Sequence, residues 1–172
     1  MNNEGTVYTA DAVVIDSDRQ VLLIVRGWPP CEGVWALRGG YVDPGEQPID
    51  AARRELAEET HVKVNLEDLQ LVGKFDRPGR DPRGKFITMA YRVDVPSPTL
   101  AVPGDDARNL RWWPLDALPS LAFDHADIIK AAVSADTVWY DDNPGRVVKA
   151  DDQGNVTVDW LNGGTTTVRR SD

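Results

Sequence analysis

Residues 53–60 read "RRELAEET", and Glu55, Glu58 and Glu59 fall three and four positions apart. On a helix that spacing puts all three carboxylates on one face, where like charges destabilise by roughly 0.2–0.5 kcal/mol per pair. Two readings fit such a cluster. One is a solvated acidic face with Arg53 and Arg54 as counter-charges. The other is a set of hard oxygen ligands for a divalent cation, in which the bound ion cancels the repulsion. An ion of that kind, held beside a diphosphate, neutralises charge on the phosphoryl oxygens and makes a bound water more acidic.

The elements needed to position these residues are legible around them. Pro48 and Asp50 suit the first turn of a helix running from Pro48 to Thr60. Ile49, Ala52 and Leu56 give it an apolar stripe. Residues 6–16 and 20–27 are β-branched and flank "SDRQ", which predicts a hairpin. "WPPCEG" is a loop, and "VWALRGGYVD" predicts short extended pieces around Gly39 and Gly40. Residues 69–77 and 85–95 read as two more strands. "LRWWPLDALPSLAFDH" begins as a strand and breaks into turns. Residues 125–135 predict a second helix that buries Ile128, Ile129, Ala132 and Val133. Strands interleaved with two helices imply an α/β fold, a sheet sandwiched between helices. The tail from 145 to 170 reads as three short strands. It is too small for a dependable core of its own and is expected to pack on the main domain or on a partner subunit. Its open edges suit a homodimer formed by strand exchange.

The spacing upstream of the acidic cluster narrows the reading. Gly40 is followed by five residues and Glu46, then by seven residues and "RELAEETHV". This pattern resembles the Nudix box, with Gly40, Glu46, Arg54, Glu55, Leu56, Glu58, Glu59 and Val62 all in register. Two positions depart from it. His61 stands where the family usually has Gly, at the expected left-handed end of the helix; histidine tolerates that conformation better than most residues. Arg38, in "WALRGG", stands where relatives commonly have Pro; it either touches a substrate phosphate or sits in solvent.

The resemblance implies a Nudix-type α/β/α sandwich with a mixed sheet for the domain over residues 1–137; it does not explain the tail, whose own residues give a small β appendage over 138–172. It also implies that Glu55, Glu58 and Glu59 ligate Mg²⁺, with Mn²⁺ as a substitute, and that the Gly40 carbonyl joins them. Arg54 would orient the carboxylates and Glu46 would brace the loop. The general base is expected at Glu58 or Glu59, with Asp105 and Asp106 as outside candidates. Asn109 takes the place of a glutamate common in relatives, and an amide accepts no proton.

Beyond the box, "RDPRG" and "RWWPLDALPSLAFDHADII" resemble the branch containing ADP-ribose pyrophosphatases and the Nudix domains of NAD-linked enzymes and regulators. The expected reaction is Mg²⁺-dependent hydrolysis of a nucleoside diphosphate linked to another moiety, ADP-ribose giving AMP and ribose 5-phosphate. Alternatives are a nucleotide-pool sanitising or other nucleotide-sugar pyrophosphatase, and an ADP-ribose-type sensor without turnover. Arg80 and Arg83 offer planar forks for phosphate, or else staple a hairpin tip with Asp76, Arg77 and Asp81. Trp28, Trp112 and Trp113 either stack an adenine or belong to the core. His125 reads as packing or capping near the second helix rather than as catalytic.

Charge and composition set the outer bounds. A net charge of −9, from 19 Lys and Arg against 28 Asp and Glu, argues against a nucleic-acid partner. Apolar runs such as "VLLIV" are too short to span a bilayer, and the start has no secretory pattern. One cysteine, Cys31, allows no internal disulfide and fits a cytoplasmic setting.

Overall fold

The computed structural model describes residues 5–102, 107–134, 137–140, 143–150, 155–160 and 165–169. The chain divides into two compact units, Met1–Ile129 and Lys130–Asp172.

The first unit is organised by β1 (Thr6–Asp16), whose centre is buried on both faces. Strand β2 (Gln20–Arg26) returns antiparallel beside it, with Ile15 opposite Val21. On the other side, β6 (Lys85–Val95) runs parallel to β1 from Thr6 opposite Lys85 to Asp16 opposite Val95. Short strands β3 (Trp35–Ala36) and β4 (Arg38–Tyr41) attach to β2 and β1, and β5 (Gln70–Phe75) attaches to β6. Strand β7 (Ala107–Pro114) completes the seven-stranded mixed sheet along β2.

Helix α1 spans Pro48–Thr60, with Pro in its first turn. It buries Ala51, Ala52 and Leu56 against Ala10, Ala12 and Val14 of β1 and Tyr91, Val93 and Val95 of β6. Val13 and Ile15, on the opposite face of β1, are equally buried, as a sheet covered on both sides requires. Helix α2 spans His125–Ser134 and buries Ile128, Ile129 and Ala132. The α/β/α arrangement expected from the sequence is the one observed.

His61 ends α1 in the left-handed region, at φ 60° and ψ 5°. Its backbone N–H donates to the Ala57 carbonyl at 2.9 Å, and a ring nitrogen lies 3.2 Å from the Val102 carbonyl. A histidine thus fills the glycine role, with its side chain tied to the segment that follows β6.

The second unit carries an antiparallel four-stranded sheet in the order β11 (Thr165–Arg169), β10 (Asn155–Trp160), β9 (Asn143–Ala150) and β8 (Thr137–Tyr140). The sequence reading gave three strands from residue 145. It missed β8, whose "TVWY" is a four-residue β-branched and aromatic run.

Candidate functional site

Arg54 organises the acidic face of α1. Its Nε and Nη2 donate to the two oxygens of Glu46, each at 2.9 Å. Its Nη1 donates to Glu55 Oε1 at 2.7 Å and reaches Glu58 Oε2 at 3.5 Å. Nη2 also donates to the Tyr41 carbonyl at 3.1 Å, which ties the helix to the end of β4. Glu46 is held by Arg54 and by the Asp43 backbone N–H, and these hydrogen bonds pull its pKa down to about 2. Glu58 is the open member of the cluster, with 60 % of its side chain exposed. Glu59 forms an ion pair with Arg38 instead.

Gly40 lies against this face. A Cβ there would overlap the Glu55 carboxylate, which would have to swing aside, so the bare glycine lets that carboxylate rest against the strand. At Gly39 a Cβ would meet the Ala10 carbonyl oxygen and the Asp11 Cα, backbone atoms that cannot swing aside, so only glycine fits there.

Gly39 and Gly40 also form one wall of a cleft of about 160 Å³ in the first unit. Arg26, Arg80, Arg83, Phe86 and Phe123 also line it. Arg83 takes both oxygens of Asp81 at 2.7 and 3.0 Å, stacks on Phe86 at 4.5 Å, and donates to the Tyr41 hydroxyl at 3.3 Å. Arg80 is sealed below it. Its Nε and Nη2 donate to the two oxygens of Asp124 at 2.9 and 2.7 Å, and its Nη1 donates to Thr88 Oγ1. Phe123, held at a positive φ of 53°, lies under the Arg26 guanidinium at 4.8 Å.

The floor pairs an acid with an imidazole. The Leu37 N–H donates to His125 Nδ1 at 2.9 Å, which fixes the ring proton on Nε2, 3.6 Å from Asp11 Oδ2. Burial raises the Asp11 pKa to about 7, partly offset by the charge of Arg80. Burial also lowers the His125 pKa to about 3, so the imidazole is neutral.

The structure therefore brings together Glu46, Arg54, Glu55, Glu58 and Gly40, and places Arg83 in the lining of the cleft that Gly40 borders. Three expectations change. Arg38 neither reaches the cleft nor sits in solvent; it is 1 % exposed, because β4 is covered by β1 and α1, and it faces Glu59. Arg80 lines the cleft, but its fork is spent on Asp124 and Thr88. Trp28 is 68 % exposed and not among the cleft-lining residues. Trp113 packs edge-on against Trp35 at 5.3 Å, which fits the core reading. Asp105 and Asp106 lie outside the described residues.

Asp11, Thr88 and Asp124 escaped the sequence reading, since nothing in their spacing joins them. The available signal was Asp11 itself, a lone acid inside the apolar run "ADAVVI".

Among the described residues, no three acidic, His or Cys side chains close on one point as a ready metal cage. Each box glutamate instead faces a guanidinium. The donor set still fits a hard divalent ion: carboxylates on one helical turn, with a side-chain-free backbone beside Glu55.

A family model of the NUDIX domain matches residues 5–132. The chain belongs to the NUDIX family. Over 117 residues it is 41 % identical to an ADP-ribose pyrophosphatase of Methanocaldococcus jannaschii, covering 68 % of each chain. It is 31 % identical to the ADPR responsive transcriptional repressor NtrR of Acinetobacter baylyi, over 72 % of this chain and 52 % of that one. A bifunctional NMN adenylyltransferase/ADP ribose pyrophosphatase of Francisella tularensis, solved with AMP and a Mn ion, superposes with a TM-score of 0.66 at 28 % identity. That match covers 78 % of this NUDIX chain and 43 % of the other. The chain thus spans about half the length of two of these three relatives.

Proposed function

We propose that this NUDIX protein hydrolyses the diphosphate bond of a nucleoside diphosphate linked to another moiety, with ADP-ribose as the favoured substrate. One observation carries the reading: Gly40 belongs at once to the cleft wall and to the acidic face of α1. A diphosphate in the cleft therefore lies next to the carboxylates. The identity to the archaeal pyrophosphatase supports ADP-ribose over other diphosphates.

The residues that would hold Mg²⁺, or Mn²⁺ in its place, are Glu55, Glu58 and Glu59 through their carboxylates and Gly40 through its carbonyl. Bound there, the ion supplies charge neutralisation and a more acidic water. Arg54 fixes the orientation of Glu55 and is itself anchored by Glu46. Arg83 receives a phosphate at the cleft mouth, with Phe86 as its backing. Arg80 and Asp124 frame the wall. Glu58 is assigned as the base because it is the most exposed box carboxylate and the least committed to a cation. Water attacks one phosphorus, Glu58 accepts its proton, and the bridging P–O bond breaks. AMP and ribose 5-phosphate leave.

A ligand sensor is the second reading, supported by the identity to the Acinetobacter repressor. Retention of Glu55, Glu58 and Glu59 favours turnover. A substrate panel with Mg²⁺, run beside Glu58→Gln, separates the readings. ADP-ribose is expected to turn over well above nucleoside triphosphates, and the variant to lose at least about 100-fold in kcat. A preference for damaged triphosphates would indicate a sanitising pyrophosphatase. Tight ADP-ribose binding with no cleavage by either protein would establish the sensor.

A further inference from the structure

Most polar side chains that line the cleft already have partners in the protein. Arg80 is bonded to Asp124 and Thr88, and Arg83 to Asp81 and the Tyr41 hydroxyl. Arg26 donates to the Pro30 carbonyl at 2.9 Å, and the hydroxyls of Thr9 and Thr88 lie 2.6 Å apart. Two groups on the floor differ. Among the described residues, no donor reaches the Asp11 carboxyl within hydrogen-bond distance, and no acceptor reaches the N–H at His125 Nε2. Their own separation of 3.6 Å is too long for a hydrogen bond, and the imidazole is neutral. The Asp11 and His125 side chains are only 9 % and 7 % exposed, yet both line the cleft. Burying a polar group without a partner is costly, so such a pair facing one cleft calls for a guest.

The chemistry of the pair says which guest. The Asp11 carboxyl disfavours an anion, and an ammonium has no lone pair for the Nε2 proton. A hydroxyl donates and accepts through one oxygen, so it suits both groups. A vicinal diol suits them better, presenting one hydroxyl to each. Phe86 and Phe123 line the same cleft and offer an apolar surface to the carbon face of a sugar ring. The pair is also rigidly placed. Asp11 lies between Gly39 of β4 and Ala90 of β6, and the Leu37 N–H, bonded to Nδ1 at 2.9 Å, keeps Nε2 as the donor.

We propose that Asp11 and His125 form a ribose-reading subsite on the cleft floor, where Asp11 accepts from one hydroxyl of a ribose diol and His125 Nε2 donates to its neighbour. This rests on the hydrolase reading above and deepens it, by naming the residues that select the sugar. ADP-ribose carries a ribose on each side of its diphosphate, and either one supplies the diol.

The test is titration calorimetry of the full chain, with Mg²⁺ present, against two pairs of ligands. They are AMP with 2′-deoxy-AMP, and ribose 5-phosphate with 2-deoxyribose 5-phosphate. In wild type, the ribo form of one pair is expected to bind at least about 10-fold more tightly than its deoxy form. The pair that shows the contrast identifies which ribose sits on the floor. Asp11→Leu should weaken that ribo form to the level of its deoxy partner and leave the deoxy partner's affinity unchanged. Equal weakening of both forms is what a purely structural role would give, and it overturns the proposal. Asp11→Asn keeps the shape and offers only a neutral acceptor, and it decides the matter should Asp11→Leu fail to fold. Its contrast should shrink to about 3-fold, and an undiminished contrast overturns the proposal. Equal affinities within both pairs in wild type, or no binding of any of the four, overturn it as well. If ADP-ribose is cleaved without the contrast, this proposal alone fails. If the contrast holds and no substrate is cleaved, the hydrolase reading alone fails.

Discussion

Two arginines in the first unit each grip a carboxylate with two nitrogens, in opposite surroundings. Arg54 and Glu46 meet at the rim of the acidic face, with side chains 30 % and 16 % exposed. Arg80 and Asp124 meet below the cleft, both 5 % exposed. Near water, ions lose little solvation and gain little stability, so the value of the Arg54 pair lies in aiming Glu55 and Glu58. Away from water, both partners have given up their solvation, and each depends on the other to remain buried. The wet pair serves the chemistry, and the dry pair holds the wall.

Arg80→Met tests this contrast most strongly. Removing one member of the dry pair should cost about 3–5 kcal/mol of unfolding free energy by urea titration. A loss below about 1 kcal/mol would put it in the class of surface pairs and erase the distinction.

Next in size is a pH effect confined to the dry side. Asp11, raised to about 7, keeps when folded a proton that the unfolded chain has released above 3.8, so its contribution fades as pH rises to 7. His125, lowered to about 3, refuses when folded a proton that the unfolded chain takes below 6.5, so its contribution fades as pH falls. Between pH 3.8 and 6.5 the two slopes oppose each other. His125→Gln removes one of them. Relative to wild type, the variant's stability should decline as pH rises through that window, by a slope approaching about 1.4 kcal/mol per pH unit. Parallel curves for the two proteins would remove the opposition.

The smallest stability effect is expected on the wet side. Glu46→Gln should leave the unfolding free energy little changed. It should nonetheless lower kcat about 10-fold, because Arg54 loses its anchor. A large stability loss with unchanged kcat would reverse the roles of the two pairs.

What the sequence disclosed follows the same division. Pro48, Asp50 and the Ala52–Leu56 stripe announced α1, and the box spacing announced Glu46, Arg54 and Glu55, because those contacts are local or lie one loop apart. The left-handed turn at His61 was legible for the same reason. The dry side was not. Asp11, Thr88, Asp124 and His125 sit on β1, β6 and the approach to α2, and only tertiary pairing makes them neighbours. Arg38 was misjudged because its sequence context says nothing about α1 covering β4. Strand β8 was missed because four residues are too few for a period to show.

The parallel ladder between β1 and β6 has a further consequence, for the order in which the molecule can be assembled. Its first strand is translated well before its partner, which emerges only with Lys85–Val95. Until Val95 has left the ribosome, the stretch "AVVI" has only β2 and β4 to pair with and lacks its central neighbour. Such distant closure is slow and leaves an adhesive edge open while it waits. Synthesis of this chain therefore includes an interval in which that edge of β1 stays open.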